Sequence, residues 1–84
     1  MTAAPAPREA PGLMRKHSLV IAGHSTSITL EFAFWDALRE LARERGLSVA
    51  ALVAEIDATR GEANLSSALR VHLLQFFRDR AARG

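Results

Sequence analysis

Polar and apolar residues alternate one by one through Ser27, Ile28, Thr29 and Leu30, within a stretch, HSLVIAGHSTSITLE, that is rich in β-branched residues. A period of two is that of a half-buried strand, so at least one strand is predicted here. Leu19 and Ile21 occupy odd positions and Ile28 and Leu30 even ones, so an unbroken strand cannot put all four on one face. The parity must change between them. Gly23-His24 is the place the sequence offers, as a bulge or as a two-residue turn with glycine first. As a turn it pairs Leu19 with Ile28 and Ile21 with Thr26 on the core face, and leaves Ser18, Val20, Ser25, Ser27 and Thr29 on the other. Either option directs Ser25, Ser27 and Thr29 away from the core.

From Phe32 to Arg45 the period changes to that of an amphipathic helix, with Phe34, Trp35, Leu38, Leu41 and Ala42 at three- and four-residue steps and Asp36, Arg39, Glu40, Arg43 and Glu44 on the wet side. Gly46 fits the left-handed position that ends a helix. Ser48 is a good N-cap for a second helix, whose stripe is Val49, Leu52, Val53 and Ile56 and which runs to about Arg60. The connection is about two residues long, which predicts a tight helix-turn-helix pair. Gly61 to Asn64 breaks the chain again, and Asn64 can cap a third helix carrying Leu65, Leu69, Leu73, Phe76 and Phe77. The fold class expected is mainly α with a short β-ribbon.

Length and composition narrow this further. The chain has 84 residues, little more than half of the ~150 that serve as a domain prior, so one compact domain is expected. Hydrophobic residues at 49% and charged residues at 24% are those of a globular chain, not a disordered one. A core this small rarely supplies more than ~3 to 5 kcal/mol without reinforcement. Cysteine is absent, which removes disulfides and thiolate metal sites together and leaves a second chain as the expected reinforcement. The first twelve residues hold all three prolines and no apolar signal segment, and read as a flexible arm ahead of a domain from 13 to 84. No apolar run approaches the ~18 to 20 residues of a membrane span, so a cytoplasmic protein is expected.

The net charge of +2 conceals a pattern. Residues 1–30 balance to +2, 31–63 to −3 and 64–84 to +3. The ends are basic and the middle acidic, and Arg15 and Lys16 sit just ahead of the strand, where they can meet phosphates.

A strand of alternating small polar and apolar residues, an amphipathic helix, and then E-R-G-L-S-V-A-A-L-V-A-E-I opening a second helix together resemble the ribbon-helix-helix family of bacterial DNA-binding proteins. The likeness is closest to short members with an I-A-G-H-x-T-S-I-x-L-E strand, here Ile21 to Glu31, and it spans about residues 15–78. The resemblance implies an intertwined homodimer whose paired strands enter the major groove of double-stranded DNA, with an additional C-terminal helix in this chain. The base-contacting positions it implies are Ser25, Ser27 and Thr29. Phosphates would meet Arg15, Lys16 and the N–H groups of Ser48 and Val49 at the start of the second helix. The shared dimer core would comprise Ile28, Leu30, Trp35, Leu38, Leu41, Leu52, Val53 and Ile56. Two-stranded ribbons fit the major groove, and helix N-termini attract phosphate without a basic side chain. A true hairpin at Gly23-His24 would widen a dimer's sheet to four strands, too broad for the groove.

This chain departs from many members in offering short hydroxyls where they carry long Arg, Lys, Gln or Asn side chains, so it makes none of the bidentate base pairings worth ~1 to 3 kcal/mol each. The rival reading is a dimeric interaction module, adaptor or antitoxin-like, that docks a protein partner through the C-terminal helix. Other chemistry is not expected. His17, His24 and His72 lack the i, i+4 spacing of a helical metal pair, Ser25, Ser66 and Ser67 lack a base and an orienting acid, and no glycine-rich phosphate loop is present. The sequence therefore predicts neither an enzyme nor a cofactor.

Overall fold

The computed structural model describes residues 11–84, so the arm's residues 1–10 lie outside the description. Strand β1 (Met14–Ile21) and strand β2 (His24–Glu31) form a two-stranded antiparallel hairpin, followed by helices α1 (Phe32–Arg45), α2 (Val49–Thr59) and α3 (Leu65–Arg83).

The parity break is a true hairpin turn, but it lies one residue earlier than Gly23-His24. Ala22 (φ 51°) and Gly23 (φ 85°) both take left-handed backbone, the pattern of a type I′ turn. The register consequently sets His17 opposite Ile28, Leu19 opposite Thr26 and Ile21 opposite His24, which corrects the pairing of Leu19 with Ile28 and of Ile21 with Thr26. Moving the turn by one residue slides one strand by two positions relative to the other. A slide of two preserves every side chain's face, so the hydrophobic pattern cannot distinguish the two turns. Ala22 carries the strain of a left-handed alanine, ~1 to 2 kcal/mol. Ala22→Asn, which supplies the Asn-Gly pair this turn favours, is expected to stabilise the fold by about 0.5 to 1 kcal/mol in urea denaturation. A loss of stability would place the turn at Gly23-His24 instead.

The helix boundaries follow from their caps. Gly46 (φ 69°) ends α1 in left-handed backbone, its N–H bonded to the carbonyls of Ala42 and Arg43. The Ser48 hydroxyl accepts the N–H of Ala51 at 3.0 Å and the Asn64 side chain accepts that of Ser67 at 2.8 Å, so both predicted N-caps are in place.

The core lies between the inner face of the hairpin and the three helices, and it closes within one chain. Ile28, Leu30, Trp35, Leu38, Leu41, Leu52, Val53 and Ile56, expected in a core shared by two chains, are all buried here without a second copy, together with Ile21, Ala42, Leu69 and Leu73. The third helix explains this, because Leu69 and Leu73 cover the side that two helices alone would leave open. The Trp35 indole N–H also donates to the Arg15 carbonyl at 2.8 Å, tying α1 to the start of β1. No helix among the described residues is long and apolar enough to cross a membrane.

Candidate nucleic-acid interface

In an antiparallel pair, successive residue pairs alternate between exchanging hydrogen bonds across the ribbon and directing their backbone groups outward. Phe32 N–H donates to the Leu13 carbonyl at 2.9 Å, one step beyond the hairpin register, which fixes the odd positions of β1 as the bonded ones. The backbone groups of Lys16, Ser18 and Val20 therefore point to the free edge of β1, and those of Ser25, Ser27 and Thr29 to the free edge of β2.

The same six residues carry the side chains that face away from the helices. Lys16, Ser18, Val20, Ser25 and Ser27 are exposed and Thr29 is half-buried. Ser18 and Ser27 stand opposite one another with hydroxyls 3.5 Å apart. This outer face is polar but for Val20, and Lys16 is its one charged residue between positions 16 and 29. Ser25, Ser27 and Thr29 thus share one surface, as the alternation implies, and Lys16 and Ser18 join it from β1.

Arg15 does not. It belongs to the inner-face parity of β1, and its guanidinium lies 5.3 Å from the centre of the Phe32 ring, so it sits at the side of the ribbon rather than on the outer face.

At the start of α2, the Ser48 carbonyl and hydroxyl accept the N–H groups of Leu52 and Ala51. Those of Val49 and Ala50 have no intrahelical acceptor, as at the start of any α-helix. The first turn carries no acid, which would compete for the dipole's positive end. Val49 itself is half-buried and packs on the core. It lines a small cleft of about 160 Å³ with His17, Leu19, Trp35 and Arg39, so the α2 N-terminus lies beside β1. The His17 and Trp35 rings meet edge to face at 4.5 Å within that wall.

The free edge of β2 is closed at one end. Ser66 donates its hydroxyl to the outward carbonyl of Thr29 at 3.2 Å. Two residues further on, Glu31 accepts from Arg70 at 2.9 Å, and this guanidinium, aided by the residue's own backbone N–H, holds the Glu31 carboxyl below the usual carboxylate range. These contacts, 37 and 39 residues apart in sequence, fasten α3 against β2. Sequence reading does not find Ser66, because nothing in a serine two residues after an N-cap says which strand it meets. At the far end of α3, Arg80 pairs with Glu40 and Glu44 of α1 and lies over the rings of Phe76 and Phe77. No group of three or more His, Asp or Glu residues is placed to hold a metal ion among the described residues.

A family model described as ribbon-helix-helix domain matches residues 14–77, most of the chain. The chain belongs to the ribbon-helix-helix family. Among solved structures it is similar to an uncharacterised protein of Bordetella pertussis Tohama I, with a TM-score of 0.76 and 35% identity over 92% of this chain. The match covers 65% of that protein's chain, so this chain spans less than two thirds of its relative's length. A search of functionally curated proteins gives no match. This structure shows the ribbon-helix-helix order of elements extended by the C-terminal helix α3, most of which lies within the matched residues 14–77.

Proposed function

We propose that this ribbon-helix-helix protein is a cytoplasmic bacterial transcriptional regulator that lays the outer face of its hairpin in the major groove of duplex DNA. The observation carrying this reading is that Lys16, Ser18, Ser25, Ser27 and Thr29 project together from a ribbon two strands wide. Neighbouring strands lie about 4.8 Å apart, so such a ribbon enters a groove ~12 Å wide, whereas a four-stranded sheet does not. Here β1 of the same chain supplies the second strand that a partner would otherwise bring. The Ser66 contact on Thr29 opposes further widening along β2.

The roles divide by chemistry. Lys16 meets phosphate at the groove wall, as does Arg15 from the ribbon's side. The free N–H groups at the start of α2 donate to a phosphate oxygen on the flank, with the helix dipole adding to the attraction. Ser25, Ser27 and Thr29 make single hydrogen bonds to base edges or a methyl contact with thymine, so specificity rests on few bonds and on the shape of the groove. The chain acts as a homodimer, each copy bringing its own ribbon.

Two variants separate these roles. Lys16→Ala should weaken binding to all duplexes about equally and lower the salt slope by roughly one unit for each phosphate it no longer neutralises. Ser27→Ala should leave affinity for scrambled DNA nearly unchanged and relax base preference in a duplex selected from a random library. Fluorescence anisotropy at several salt concentrations reads both. Intact base preference in Ser27→Ala, with binding abolished in Lys16→Ala, would remove the ribbon as a reader of sequence.

A further inference from the structure

Val20 is the most exposed of the large apolar side chains among the described residues, at 64%, and it stands on the otherwise polar outer face of the hairpin. It takes no part in the core. Threonine has the same branched shape and a similar preference for strands, so strand formation alone does not call for a second methyl in water. Its neighbour across the ribbon is Ser25. Because the odd positions of β1 are the hydrogen-bonded ones, this pair is of the other kind, in which the Cα atoms approach to about 4.5 Å and the side chains lie close together. An isopropyl group and a hydroxyl therefore stand side by side, facing outward.

We propose that Val20 and Ser25 together read one thymine, Ser25 donating to its O4 and Val20 packing on its 5-methyl group. The assignment rests on the DNA-facing reading of the hairpin. In the major groove thymine alone among the four bases shows a methyl group, and it shows it beside an acceptor oxygen. A donor beside an apolar group is the complement. Cytosine shows an amino group and a bare C5 edge, and a serine hydroxyl can accept from that amino group, so the methyl decides between the two pyrimidines. The other outward pairs lack this combination. Ser18 and Ser27 present two hydroxyls, and Thr29, opposite Lys16, is half-buried with its carbonyl held by Ser66. Spacing then locates the thymine. Successive outward pairs are two residues apart, about 6.8 Å at ~3.4 Å per residue, and base pairs repeat every ~3.4 Å, so Val20 and Ser25 sit about two base pairs from the position under Ser18 and Ser27.

A chemical change in the DNA tests this without disturbing the protein. A duplex selected from a random library is resynthesised with each thymine in turn replaced by deoxyuridine, which removes only the methyl, and affinity is read by anisotropy for the wild type, Val20→Ala and Thr29→Ser. For the wild type, one thymine about two base pairs from the position relaxed by Ser27→Ala should lose about fourfold in affinity as deoxyuridine, the effect of one buried methyl. 5-Methylcytosine at that position should bind more tightly than cytosine by a similar factor. Val20→Ala should not distinguish thymine from deoxyuridine there, which isolates the pairwise contact. Thr29→Ser, which removes the other methyl of the outer face, should keep the effect in full, and this variant decides if Val20→Ala does not fold. A selected duplex with no methyl-sensitive thymine, a methyl effect that persists in folded Val20→Ala, or its loss in Thr29→Ser would each overturn the assignment while leaving the DNA-facing ribbon in place. Failure to bind any duplex would remove the ribbon reading and the assignment with it.

Discussion

Trp35→Ala is expected to cost about 3 to 5 kcal/mol of stability, the range for removing a large aromatic from a packed core. The indole is 2% exposed and meets the fold in three ways. It fills the space between α1 and the inner hairpin face, it stands edge to face with His17, and its N–H holds the Arg15 carbonyl at the start of β1. Trp35→Phe keeps most of the ring and loses the donor, so it should cost roughly 1 to 2 kcal/mol. Urea denaturation of the two variants resolves packing from hydrogen bonding. A near-neutral Trp35→Ala would mean that β1 is not docked on α1 as described.

The second large effect belongs to the α2 N-terminus. Val49 is part of the core wall, so a charge at that position would mix packing with electrostatics. Ala50, one residue on, leaves Val49 in place. Ala50→Asp should stabilise the isolated protein slightly, by about 0.3 to 1 kcal/mol, because a carboxylate in the first turn favours the helix dipole. The same carboxylate occupies the place of a phosphate and repels it, so DNA affinity should fall roughly tenfold. Opposite signs for stability and affinity are the diagnostic, read by thermal denaturation and anisotropy on one sample. Unchanged affinity would remove the helix terminus from the interface.

The fold was largely legible because its signals are local. The 3.6 period of Phe34, Trp35, Leu38 and Leu41, the terminal Gly46, and the caps Ser48 and Asn64 each act within one turn of chain, and each stands where the sequence puts it. The outer face of the ribbon was legible for the same reason, since alternation assigns Ser25, Ser27 and Thr29 to one side whatever the register. What the sequence left undecided depends on distance. The choice between turns at Ala22-Gly23 and Gly23-His24 preserves every face, so packing of the whole hairpin decides it. Contacts of Ser66 with Thr29 and of Arg70 with Glu31 join residues almost half the chain apart. The closure of the core within one chain required knowing that Leu69 and Leu73 return over α1 and the sheet, whereas chain length alone argued for a second copy.

Whether the outer face of the hairpin meets DNA is tested residue by residue by amide chemical-shift mapping during titration with duplex DNA at low salt. The backbone N–H groups of Ser18, Ser25 and Ser27 lie on the ribbon's open edges, and those of Val49 and Ala50 at the free end of α2, so all five should shift progressively and recover as salt is added. Those of Leu69 and Leu73 should stay still. Shifts confined to α3, or no shifts at any DNA concentration, would contradict a DNA-facing ribbon.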